Sequence, residues 1–175
     1  ATPTVDGEFL YALSENGDLS CLRVKDGGTS WKKNILKEFG GSNPKWNISE
    51  SPLIDGDRVV VTPGGHDATV VALEKKTGKT VWTSKGLSDG AGYSSCIVAG
   101  LHGIRTIRTI TANAGVGIRA SDGKLMWREE SPANRVANVA TPVLDGNRVL
   151  YSSAYGTGCT MMELTANDGV IKAEK

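Results

Sequence analysis

The residue types able to do chemistry in this chain are few, and their spacing gives most of them structural work. Cysteines stand at positions 21, 96 and 159, so no CxxC pair exists and no zinc-type cluster can be assembled from sequence neighbours. An odd number of thiols leaves at least one free or buried as a small apolar side chain. His66 and His102 fall in turn regions far apart, neither with a partner at metal-ligand spacing, and read as solvated loop histidines. Gly115-Val116-Gly117-Ile118-Arg119-Ala120 fits the dinucleotide-binding GxGxxG/A pattern. That fingerprint needs a helix starting at its glycines to face a pyrophosphate, yet Ser121-Asp122-Gly123 breaks the chain at once, so a glycine-containing strand is expected instead. Ser94-Ser95-Cys96 lacks the GxSxG elbow that activates a serine. Asn47-Ile48-Ser49 fits a glycosylation acceptor, which decides nothing here. No catalytic residue, cofactor ligand or metal ligand is assigned.

Composition narrows the field further. The 175 residues carry 20 Lys+Arg against 19 Asp+Glu, too balanced a charge to hold a phosphate backbone or an anionic membrane, so nucleic-acid binding is not expected. No stretch approaches the roughly 18 apolar residues of a membrane span, and Ala1-Thr2-Pro3-Thr4 has neither the basic nor the apolar region of a signal peptide; a soluble chain is expected. Gly numbers 22, well above the usual ~7 %, which points to many turns.

The elements that position these residues follow from a repeat. Thr2-Pro3-Thr4-Val5-Asp6-Gly7, Ser51-Pro52-Leu53-Ile54-Asp55-Gly56 and Thr141-Pro142-Val143-Leu144-Asp145-Gly146 share one pattern, and Ser95-Cys96-Ile97-Val98-Ala99-Gly100 is a worn copy. A second half recurs as Gly27 to Trp31, Gly78 to Trp82 and Gly123 to Trp127, always four residues apart; after Asp168-Gly169 the fourth copy has Ala173 in the Trp place. Starts at Pro3, Pro52, Cys96 and Pro142 give periods of 49, 44 and 46, the range of four-stranded propeller blades. Short apolar runs, β-branched or aromatic, such as Phe9 to Leu13, Val59 to Val61, Val70 to Leu73 and Val149 to Tyr151 suit strands covered on both faces, and Asp-Gly and Asn-Gly pairs supply the turns between them. The fold class is therefore all-β, a propeller of about four four-stranded antiparallel blades. Its divisions are blade 1 at 1–35, a connecting loop at 36–48, blade 2 at 49–85, blade 3 at 93–130 and an incomplete blade 4 at 139–175. Trp31, Trp82 and Trp127, one per blade on the outermost strand, are expected to be mostly buried where each blade docks on the next.

These units resemble the β-propeller repeats of the pyrroloquinoline quinone (PQQ) quinoprotein family, repeats also found in the propeller lipoprotein that assists outer-membrane protein assembly. The resemblance covers essentially the whole chain and implies an extracytoplasmic location, periplasmic or secreted. Members usually close six to eight blades; a small closed ring, a segment of a longer chain, and two copies pairing into an eight-bladed ring all fit four. Quinoprotein dehydrogenases add a carboxylate base, calcium ligands and often adjacent cysteines; this sequence has no adjacent cysteines, and its Asp6, Asp55, Asp122, Asp145 and Asp168 sit at turns. The expectation is thus a non-catalytic scaffold for a protein or carbohydrate partner, with PQQ and calcium entering only if the chain is part of an alcohol or sugar dehydrogenase. Ligand-facing positions are then sought in the loops between blades: Trp46, Asn47, Glu50, Tyr93, Arg135 and Asn138.

Overall fold

A computed structural model describes every residue except Asp168, so that residue's assignment to the last turn lies outside the described residues. The chain forms four four-stranded sheets, each built from strands consecutive in sequence. Blade 1 holds β1 (Thr4–Asp6), β2 (Phe9–Leu13), β3 (Asp18–Arg23) and β4 (Thr29–Asn34). Blade 2 holds β5 (Leu53–Asp55), β6 (Arg58–Val61), β7 (Val71–Glu74) and β8 (Thr80–Thr83), and blade 3 holds β9 (Ile97–Leu101), β10 (Ile104–Ile110), β11 (Gly115–Arg119) and β12 (Leu125–Glu129). Blade 4 is β13 (Val143–Asp145), β14 (Arg148–Ser153), β15 (Gly158–Asn167) and β16 (Val170–Glu174). It has its full set of strands, so the fourth unit is incomplete only in lacking the tryptophan. The GxGxxG segment is β11, paired on both sides with β10 and β12. One element escapes the strand pattern: α1 (Ile35–Phe39) follows blade 1, opened by the Asn34 side chain accepting from the Lys37 N–H and closed by Gly40 in the left-handed region.

Three apolar layers lie between successive sheets. Tyr11, Leu19 and Cys21 of blade 1 meet Val59, Val61 and Leu73 of blade 2. Val60, Ala72 and Trp82 of blade 2 meet Ile107, Val116 and Ile118 of blade 3, and Ile110 and Trp127 of blade 3 meet Val149, Tyr151 and Met162 of blade 4. Alternation along each strand sends neighbouring residues to opposite faces, so one strand serves two layers. The tryptophans clamp these layers. Trp82 donates its Nε1–H to the Ala120 carbonyl at 2.9 Å, and its ring lies over Gly123, where a Cβ would stand 2.7 Å away. Trp31 does the same one blade earlier, to the Lys75 carbonyl at 2.9 Å and over Gly78, although its ring is less completely covered than those of Trp82 and Trp127. Trp127 departs from the scheme. It lies over Gly117 of its own sheet, donates to the Tyr151 hydroxyl at 3.2 Å, and carries the buried Arg108 guanidinium 5.6 Å above its ring.

The two end faces carry matching stripes. Residues directly opposite in an antiparallel pair share a face, so Val143, Leu150 and Met161 form one stripe on the outer face of blade 4. Val5, Leu10 and Leu22 form another on the outer face of blade 1. In the interior, Leu53–Val60–Ala72 of blade 2 faces forward into blade 3, whereas Ile54–Val59–Leu73 faces back into blade 1. Counted from the repeat's proline, the blade 4 stripe corresponds to the forward set and the blade 1 stripe to the backward set. The two ends are the two halves of an interblade contact, and Val5, Val143 and Met161 are exposed.

Candidate functional site

In a four-stranded up-and-down sheet the second-to-third-strand turns and the blade-to-blade connections emerge at the same end. That end collects the chain's longest loops: 40–52, 84–96 and 130–142. Hydrogen bonds one repeat apart tie their inner ends together. Ser51 N donates to Ser95 Oγ at 2.9 Å, Ser94 Oγ to the Ala140 carbonyl at 3.0 Å, and Tyr93 N to the Asn138 carbonyl at 2.9 Å.

The six residues singled out from sequence divide into two groups. Trp46, Tyr93 and Arg135 are brought to one surface. Trp46 is half-exposed, its ring centroid 5.9 Å from that of Tyr93, its backbone N–H 3.3 Å from the Tyr93 hydroxyl, and Lys45 Nζ lies 4.8 Å over its ring. Tyr93 and Arg135 line one cleft of about 230 Å³ together with Lys45, Ala91, Gly92 and Ala137. Asn47 shapes this loop: it takes a positive φ of 63° and accepts from Asn43 Nδ2 at 3.0 Å. Asn138 and Glu50 are buried instead. Asn138 Nδ2 donates to the Thr111 and Ala112 carbonyls, both at 3.0 Å, while its Oδ1 accepts from Asn134 N at 2.8 Å and Ser153 Oγ at 3.0 Å, which fixes the cleft floor. Glu50 accepts from Thr62 N at 2.5 Å and Thr62 Oγ1 at 2.8 Å. Burial raises its pKa to about 7 against the lowering effect of the two Thr62 bonds. Cys96, 3.5 Å from Thr62 Oγ1, is pushed up to about 12 by burial and then by the Glu50 carboxylate, so it stays a thiol.

A second buried carboxylate was invisible to pattern reading. Asp89 accepts from Thr111 Oγ1 at 2.7 Å, from Asn113 Nδ2 at 3.3 Å, and from Arg128 Nε and Nη2 at 3.2 and 3.1 Å. Arg128 also pairs with Glu130 at 2.5 Å, forming one wall of an adjoining cleft of about 340 Å³ that shares Ala112, Asn134 and Arg135 with the first. The Asp89-Gly90 pair signals a turn in the sequence, but nothing there points to Arg128, 39 residues on.

Four antiparallel blades, a repeating Gly-to-Trp clamp and a loop face at one end define a β-propeller of PQQ-like repeats. Within that class the chain belongs to the family described as outer membrane protein assembly factor BamB, which matches residues 1–172. It is 25% identical over 169 residues to the outer membrane protein assembly factor BamB of Kangiella koreensis, covering 89% of this chain and 35% of that protein. It is 33% identical over 90 residues to the quinoprotein ethanol dehydrogenase of Pseudomonas aeruginosa, covering 51% of this chain and 14% of the enzyme. The crystal structure of BamB from Moraxella catarrhalis superposes with a TM-score of 0.59 at 17% identity, over 91% of this chain and 44% of that one, a likeness of fold. The chain thus spans about a third of the length of its BamB relative and a seventh of the dehydrogenase.

Proposed function

We propose that the chain is a non-catalytic propeller scaffold of an extracytoplasmic, periplasmic protein, presenting the loop face around Trp46, Tyr93 and Arg135 to a protein or carbohydrate partner, and that a second copy joins it through the end stripes to complete a larger ring. The observation that carries this reading is the use made of the acidic residues on that face. Glu50 is held by Thr62, and Asp89 by Thr111, Asn113 and Arg128, so both buried carboxylates are spent on joining loops to blades. Among the described residues no three His, Cys, Asp or Glu side chains come together to hold a cation. A quinone and calcium would enter only if these blades were part of a longer alcohol or sugar dehydrogenase whose other blades supply the ligands. Family membership and the BamB relative support the binding reading, since that relative is named for assembling outer-membrane proteins.

The test is to incubate the protein with PQQ and calcium, desalt it, and record both retained near-ultraviolet absorbance and dye reduction with ethanol or glucose. We expect the quinone to elute free and the dye to stay oxidised. Stoichiometric retention of quinone with substrate-dependent dye reduction would replace the scaffold with an oxidoreductase.

A further inference from the structure

The loop face has a chemical character that narrows its partner. Three loops meet at the first cleft, and its floor is small and stiff: Ala91, Gly92, Ala112 and Ala137, braced by the Asn134–Asn138–Ser153 hydrogen bonds. Its walls carry cations. Lys45 and Arg135 are both exposed and, among the described residues, neither has a carboxylate within ion-pair distance. No acidic residue lines this cleft, and the acid beside the adjoining one, Glu130, is paired with Arg128. Apolar side chains stand on the same loops: Trp46, Val136 and Val139 are 50%, 45% and 60% exposed.

Resting on the scaffold reading, we infer that this cleft binds an extended acidic peptide segment, setting carboxylates against Lys45 and Arg135 and an apolar side chain against Trp46 and Tyr93. Charge complementarity selects the sign of the partner, and the exposed apolar groups select an amphiphilic chain over a simple anion. A sugar is the poorer fit. Stacking a pyranose needs a whole free aromatic face, whereas Lys45 sits over the Trp46 ring and Tyr93 packs against it at an interplanar angle of 53°, which leaves exposed ring edge for an apolar side chain to touch. The floor is preformed, so little ordering opposes binding.

The experiment is fluorescence anisotropy of three labelled probes with the protein: a peptide alternating glutamate and phenylalanine, the same peptide with lysine for glutamate, and an alginate hexasaccharide. The acidic peptide should bind, the basic one should not, and binding should weaken as ionic strength rises from about 0.05 to 0.5 M. Lys45→Glu and Arg135→Glu should each lower affinity about tenfold or more. Both side chains are exposed, so an unchanged melting temperature certifies each variant's fold. Trp46→Ala should weaken the acidic peptide while leaving its salt dependence in place. Equal binding of both peptides, indifference to the charge reversals, binding of alginate in preference to peptide, or no binding at all would each overturn the proposal. None of these outcomes would restore an enzyme, because quinone retention and turnover are read separately.

Discussion

Replacing Trp82 by alanine should cost about 3–5 kcal/mol of stability, the range for deleting a large buried aromatic side chain. The ring is 7% exposed, packs in the layer between blades 2 and 3, and covers Gly123. Its indole N–H also satisfies the Ala120 carbonyl, which Arg58 shares, so truncation removes a buried hydrogen bond together with the apolar contact. The space over Gly123 cannot be refilled cheaply. A larger residue there would meet the ring in the wild-type chain, and it would have to adopt a φ of +78°, which favours glycine. Chemical denaturation checks the value, with Trp46→Ala as the control: that side chain is half-exposed, and its loss should stay within about 1 kcal/mol. Equal costs at the two positions would show that Trp82 does not clamp the blades.

The second large effect is on pH dependence. Burial raises the Glu50 pKa to about 7 in the folded protein, whereas the unfolded chain returns it to the ordinary carboxylate value of 4.5. Between those values the folded state binds more protons than the unfolded one, so stability falls as pH rises through that window. A shift of that size corresponds to roughly 3 kcal/mol, lost by about pH 8. Other carboxylates act elsewhere: the Arg119 guanidinium holds Asp122 at about 2, so its opposite contribution disappears only in acid. Glu50→Gln keeps an acceptor for the Thr62 N–H and removes the titration. The variant should match the wild type near pH 4 and exceed it by up to about 3 kcal/mol near pH 8. Unfolding free energies measured at both values decide the matter. A difference that does not change with pH would mean that Glu50 titrates normally.

Much of this architecture was legible because it is repeated. The proline motifs, the Asp-Gly turns and the fixed Gly-to-Trp interval each occur several times, so a local ambiguity in one blade is settled by the others. Ser94-Ser95-Cys96, a worn copy, still opens the first strand of blade 3 through this register. Features found once were harder to read. The helical turn α1 has its cap signals, Asn34 and Gly40, but five residues give too little periodicity to be seen as a helix. Trp46 and Tyr93 were recognisable as loop residues outside the docking pattern, and they do meet. Glu50 and Asn138 looked like partners for a ligand because they are polar residues of the loops between blades. Their burial depends on how each connection folds back over Thr62 or Thr111, a long-range geometry with no local signature. The same holds for Asp89 and Arg128, and for Arg108, whose guanidinium occupies a core position between blades 3 and 4 with its Nη1 unpartnered. At the same seam, which Trp127 of blade 3 fills, β16 comes against β12, and Lys175 just beyond β16 pairs with Glu129 at 2.9 Å.

The proposed pairing of two copies stands or falls on the two end faces. Val143–Leu150–Met161 and Val5–Leu10–Leu22 repeat, position for position, the forward and backward sets that pack between blades inside the chain. Two copies joined head to tail twice would cover all four stripes and leave no exposed sheet face. Native mass spectrometry of the chain, read across a concentration series, is the direct measurement. The account predicts a species at twice 18.4 kDa that Met161→Glu and Val5→Lys each return to the monomer. A monomer at every concentration, with both variants indistinguishable from the parent, would contradict it.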